Sequence, residues 1–178
     1  MDVFLGFISI SDILGDRAES VGGDTIDEAS TGVPIESITG YANEEETKIE
    51  YLAITIKPRA GPTQIDLTKC SLTVLYDTGT ILSLNESLVE KNAQPFDNTI
   101  MDKLTSISSG AIVINDQDDS ITTSYFMNSG DNSILLVDLG KILENEGLLA
   151  GESISGMLTP ETGIKAQFDV TAPAVFSS

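Results

Sequence analysis

Histidine and tryptophan are absent from this 178-residue chain, and it holds a single cysteine. Without an imidazole, neither a Ser/His/Asp nor a Cys/His nucleophilic pair can be built, and no His-containing zinc site is available. The side-chain chemistry that remains belongs to carboxylates, Lys and Tyr. A lone Cys70 forms no intrachain disulfide, so thiol content is silent on redox compartment. It sits in an alternating run, Cys70-Leu72-Val74-Tyr76 against Ser71-Thr73-Leu75-Asp77, which predicts a small buried hydrophobe on one face of a strand. Bases are scarce as well: 9 Lys and Arg stand against 28 Asp and Glu, for a formal net charge of -19. That excess repels phosphate backbones and anionic lipid headgroups, and argues against a nucleic-acid partner. Long apolar runs are also missing. The segment Val3-Phe4-Leu5-Gly6-Phe7-Ile8-Ser9-Ile10 is apolar but far short of the about 20 residues that a membrane-spanning helix needs. It lacks the basic start of a secretory signal.

What is present is a globular composition, with 40% hydrophobic and 21% charged residues, so the acidity decorates a folded surface. The length suits one core with a short appendage. Ser11-Asp12 offers a cap, and Ile13, Leu14, Ala18, Val21, Ile26 and Ala29 recur with acids between them. This predicts an amphipathic helical segment from Ser11 to Thr31, interrupted at Gly22-Gly23. From Gly32 onward the hydrophobic period is two. Strands are predicted at Ile35 to Ser37, Ile49 to Lys57, Ser71 to Tyr76, Thr80 to Leu84 and Ala111 to Asn115. Four more follow at Ser120 to Met127, Ser133 to Leu139, Ser153 to Leu158 and Ile164 to Val170. Turns rich in Gly, Asn and Asp separate them, at Asp77-Thr78-Gly79, Asn128-Ser129-Gly130-Asp131 and Pro160-Glu161-Thr162-Gly163. Brief helices are expected at Thr99 to Leu104 and Leu139 to Asn145. Many short strands with regular turns make an all-β sandwich or barrel.

One stretch is more specific. After Gly40-Tyr41-Ala42-Asn43 and a run of acids comes Tyr51-Leu52-Ala53-Ile54-Thr55-Ile56-Lys57-Pro58-Arg59-Ala60-Gly61, then Ile65-Asp66-Leu67. Its residues alternate as a strand, Pro58 ends it and Gly61-Pro62 turns the chain. This block resembles the opening of the outer domain of archaellins, the archaeal flagellins. Gly110 to Ile114 and the Ala172-Pro173-Ala174-Val175-Phe176 tail resemble that family more loosely. The resemblance implies an immunoglobulin-like antiparallel β-sandwich at 32–178, joined to a helical connector at 1–31. The family's long N-terminal hydrophobic helix, whose bundling drives assembly, is expected to be missing or truncated here, trimmed for solubility. By the same resemblance the chain is a structural subunit of an extracellular motility filament. Its partners are further copies or other archaellins, and it has no membrane contact in this form. A surface adhesin or minor pilin-like binding module is the rival reading. A carboxylate hydrolase would need two acids about 5 to 10 Å apart in a cleft, and no linear spacing supports it, so no enzyme is expected.

Two places stand out as sites. Asn115-Asp116-Gln117-Asp118-Asp119-Ser120 crowds carboxylates into one turn, and Asp116, Asp118 and Asp119 are the expected ligands if a hard cation such as calcium binds. The EF-hand frame is not met, and Asp and Asn are also ordinary turn residues. The resemblance adds that some archaellins carry metal in this domain; no cofactor is required. Asp77 and Asp97 are weaker loop candidates. Asn85-Glu86-Ser87 is an acceptor triplet for an N-linked glycan, a modification common in that family.

Overall fold

The computed structural model describes residues 5–6, 9–13, 32–42, 45, 47–59, 64–91, 93–94, 98–143 and 147–175. Thirteen strands are described: β1 Leu5–Gly6, β2 Ser9–Ile13, β3 Ile35–Ala42, β4 Lys48–Ile56, β5 Ile65–Asp66, β6 Ser71–Leu75 and β7 Gly79–Lys91. They continue with β8 Ser108–Asn115, β9 Phe126–Met127, β10 Asn132–Asp138, β11 Leu148–Leu149, β12 Ser153–Thr159 and β13 Ala166–Thr171. Three short helices, α1 Asn98–Met101, α2 Ser120–Ser124 and α3 Leu139–Ile142, lie in the connections.

The strands hydrogen-bond in the order β1-β3-β4-β10-β8-β7-β6-β12-β13-β2, with β11 beside β4 and a separate β5-β9 ribbon. This run folds over so that its two halves face one another. The β3-β4-β10-β8 half contributes Leu52, Ile54, Ile56, Ala111, Val113, Leu135 and Val137 to the core, and the β7-β6-β12-β13 half contributes Leu72, Val74, Leu82, Ile154, Leu158, Phe168 and Val170. Alternation alone puts these residues inside, because successive side chains of a strand point to opposite faces. The result is the expected β-sandwich, built as two halves of a continuous ladder.

Close packing is visible at β12 and β13, where Gly156 stands opposite Phe168. A Cβ at Gly156 would lie 2.2 Å from the ring's Cζ and 2.7 Å from the carbonyl oxygen of Thr73. The ring therefore fills the space where a side chain would stand. Phe168 itself is only 2% exposed.

A smaller apolar layer covers the outer face of the first half. Ile100, Met101 and Leu104 pack with Leu88 against Tyr41, Ala53, Ile112 and Leu136. Gly110 lets this layer approach, since a Cβ there would come 3.0 Å from Ile100 Cγ2. Asp138 anchors the adjoining corner: its side chain caps α3 by accepting from Lys141 N at 3.0 Å, and the Lys141 ammonium lies 3.4 Å away. Burial nevertheless raises its pKa above the ordinary carboxylate value. The Ile65-Asp66-Leu67 step has a local physical role. Asp66 Oδ1 accepts from Thr68 N at 3.0 Å and from Thr68 Oγ1 at 2.6 Å, closing a single 3-10 turn at Leu67–Lys69.

The structure departs from the sequence expectations at four places. β7 runs on to Lys91 and pairs with β8 in parallel, so the sandwich is not purely antiparallel. The 92–107 connection supplies the crossover that a parallel pair requires. The strand expected at Ser120 to Met127 is instead α2 followed by the two-residue β9. Its hydroxyls bond back to carbonyls one turn earlier, Thr123 Oγ1 to Asp119 O at 2.6 Å and Ser124 Oγ to Ser120 O at 3.0 Å, which favours a helical turn over a ladder. The second expected helix is shorter, ending at Ile142, and residues 144–146 lie outside the described residues. At the N-terminus, the helix expected from Ser11 begins as strand, because β2 pairs antiparallel with β13, Asp12 standing opposite Asp169. The rest of that expected helix, 14–31, lies outside the described residues.

Candidate functional site

The acidic turn between β8 and α2 is held in place from both ends. Asn115 Nδ2 donates to Gly130 O at 2.6 Å, tying it to the β9-β10 turn, and Ser120 Oγ donates to Phe126 O at 2.8 Å. Asp116 turns inward and is 5% exposed. Its Oδ2 accepts from Thr122 N and Thr122 Oγ1, each at 3.2 Å. Asp118 stays at the surface, accepting from Ser120 N at 3.1 Å and from Asn128 Nδ2 at 2.8 Å. Hydrogen bonds from Ser120 and then Asn128 hold its carboxyl below the usual carboxylate range.

The third carboxylate that converges here is Asp131, not Asp119. Oxygens of Asp116, Asp118 and Asp131 lie within 4.8 Å of one another. Asp131 is 2% exposed and accepts from Asn128 N at 2.7 Å across its own turn. Burial raises its pKa, and the neighbouring charges of Asp116 and Asp118 raise it further. Asp119 points elsewhere. Its backbone adopts a left-handed conformation at φ 58°, and its side chain forms an exposed ion pair with Lys91. That φ reverses the chain into α2 and swings Asp119 away from its neighbours. Asp131 was visible in the sequence only as a turn residue. Nothing in linear spacing joins it to Asp116.

These carboxylates fit a hard cation by the chemistry of the donor set, since calcium takes oxygen ligands from carboxylates, carbonyls and water. Asp77 does not join them; it lines a separate depression with Val74, Tyr76, Thr80, Ile142 and Leu143. Asp97 lies outside the described residues.

The Asn85 triplet falls where β7 leaves its partner. The register with β8 shifts between Leu84 and Val89, so the intervening residues bow out of the ladder while Leu88 turns into the outer apolar layer. Asn85 Oδ1 accepts from Ser87 N at 3.1 Å and from Ser87 Oγ at 2.7 Å, at an exposed position. The hydroxyl therefore already addresses the amide that a glycan would occupy.

Comparison with known proteins agrees with this fold. The archaeal-type flagellin family model matches residues 4–170. Flagellin B5 of Pyrococcus abyssi is 33% identical over 193 residues, covering 96% of this chain and 85% of that protein. Flagellin B1 of Methanococcus voltae is 24% identical over 176 residues, covering 96% of this chain and 81% of the relative. The crystal structure of archaeal flagellin FlaB1 from Methanocaldococcus jannaschii superposes with a TM-score of 0.73 at 28% identity, covering 83% of this chain and 93% of that one. The archaeal flagellum of Methanospirillum hungatei strain JF1 shares the fold at a TM-score of 0.53 and 12% identity, covering 84% of this chain and 70% of that one. A sandwich of this topology, matched along nearly its whole length to flagellins, places the chain in the archaeal-type flagellin family, the structural subunits of the extracellular archaeal motility filament.

Proposed function

We propose that this chain works mechanically, as a copy in the wall of an archaellum, and that catalysis is no part of its role. The family match across 4–170 carries that reading. The lack of any imidazole for a Ser/His/Asp or Cys/His pair supports it. Filaments sheared from cells that express the chain should contain its peptides in stoichiometric amount. Recovery of the chain only as a secreted monomer would sink the filament reading and favour the adhesin alternative.

Within that role, a hard cation such as calcium would be held by Asp116, Asp118 and Asp131, with Asp119 left out. Its charge would offset the mutual repulsion of carboxylates that tie the β8-α2 turn to the β9-β10 turn. The support is the convergence of these oxygens. Asn85 is proposed as a glycan acceptor, supported by its exposed turn and the Ser87 hydroxyl on its amide oxygen. A division into a connector at 1–31 and an outer domain from 32 remains part of this reading, with β2 laid along the domain's edge.

A further inference from the structure

The outward face of the β7-β6-β12-β13 half is almost free of charge, in a chain whose formal net charge is -19. Residues directly opposite across a sheet share a face, so the registers define its rows. The central row runs Ile81, Thr73, Met157, Gln167. The rows on either side hold serines, threonines and Gly79, with Leu75 at one position and Asp169 as the one carboxylate that these four strands place in them; Asp12 of β2 stands opposite it in the register. Ile81 is 66% exposed and Leu75 43%. Beyond β7, Ile107 is 67% exposed, and its carbonyl accepts from Ser83 N at 3.2 Å. The opposite sheet half has its own outer face covered by Ile100, Met101 and Leu104. Among the described residues, this face has no equivalent apolar layer over it.

We propose that this face is the surface through which the outer domain docks on a second copy of the chain. The proposal rests on the filament reading above and names the contact within it. Charge selects both the face and the occupant. Two copies this acidic repel wherever carboxylates meet, and like charges juxtaposed in a contact are costly. Approach is least opposed through a surface that carries almost none. That surface also offers what an interface core contains: branched aliphatics and Met to exclude water, ringed by hydroxyls and an amide able to hydrogen-bond. A cationic partner would be drawn instead to the acidic remainder of the surface. A second copy is the partner to which the neutral face is better matched than any other part of the molecule.

The test places a thiol at the β7 end of the central row by Ile81→Cys, with buried Cys70 as a silent background. Maleimide labelling is followed in purified filaments and in subunits dissociated from them. Labelling should be slowed about tenfold or more in the filament, as for a site that reacts only on local opening. Ile81→Glu should leave the folded subunit's melting temperature unchanged and lower the temperature at which filaments dissociate. Equal labelling rates in filament and subunit, together with Ile81→Glu filaments as heat-stable as the parent, would overturn the proposal. So would protection already complete in the dissociated subunit, which would assign the cover to the chain itself. If the unaltered chain forms no filament at all, the function reading fails first, and the two failures are thereby distinguished.

Discussion

Replacing Gly156 by Ala should destabilise the sandwich out of proportion to one methyl group. The added Cβ would stand 2.2 Å from Phe168 Cζ and 2.7 Å from the Thr73 carbonyl oxygen, and neither distance is tolerable for carbon. Phe168 must then leave its site or β6 and β12 must part. Overpacking of a well-filled core costs about 1–3 kcal/mol, and the upper bound is eviction of the ring, about 3–5 kcal/mol by analogy with Phe→Ala. In a domain of this size 1 kcal/mol shifts the melting temperature by about 2–4 °C, so a drop of about 2–12 °C is expected. Urea denaturation would measure it, with the slope checked for constancy so that the midpoint reports stability alone. Phe168→Leu alone should also cost stability, by loss of buried area. Combined with Gly156→Ala, however, it should cost less than the sum, because the ring half of the clash is relieved while the Thr73 half persists. A melting temperature of Gly156→Ala indistinguishable from the parent, or strict additivity in the double variant, would refute the claim that the ring occupies the Gly156 position.

Four further expectations can be checked. Calcium at about 100-fold over its dissociation constant should stabilise by about 2.7 kcal/mol, raising the melting temperature; Asp131→Asn should abolish that response and Asp119→Asn should retain it. An unchanged parent melting temperature at millimolar calcium removes the metal reading altogether. Asp138 has its pKa raised in the folded state from 3.8, so the folded chain binds more protons than the unfolded one between the two values, and stability falls as pH rises through that window. The parent should therefore lose stability relative to Asp138→Asn on going from about pH 4 to about pH 7, and denaturation midpoints showing the opposite slope would contradict the burial argument. Burial, then Asp66 and Glu161, push the Cys70 thiol up to about 12, so at pH 8 native protein should react with a thiol reagent about a thousandfold more slowly than unfolded chain; prompt stoichiometric labelling of the native state is the adverse result. In the producing cell, Asn85→Gln should remove any glycan carried by this chain, read as a mass change of the intact subunit. A glycan that survives on the variant would move the site elsewhere.

Much of the fold was legible because it is local. Alternation in Ile49 to Ile56, Ser71 to Leu75 and Ser153 to Leu158 marks strands whatever they pair with, since side-chain direction follows from backbone pleat alone. Ser120 to Met127 misled for a matching reason. Ile121, Thr122 and Thr123 are β-branched and read as strand, but hydroxyls can also bond back within one turn, and here they do. Asp116 and Asp118 could be singled out by their crowding. Asp119 sat in the same crowd and left it because one backbone angle turned it toward Lys91.

By itself the sequence determined the composition of the core, the absence of imidazole chemistry, the acidic surface and, through the Tyr51 to Leu67 block, the family. Each of these is a property of residue type or of spacing along the chain. Only the tertiary structure decided that β7 and β8 run parallel, that Asp131 joins Asp116 and Asp118, and that one broad face of the sandwich is left nearly free of charge. Those outcomes depend on which distant strands hydrogen-bond and in what register, and a shift of a single residue would have sent every one of those side chains to the other face.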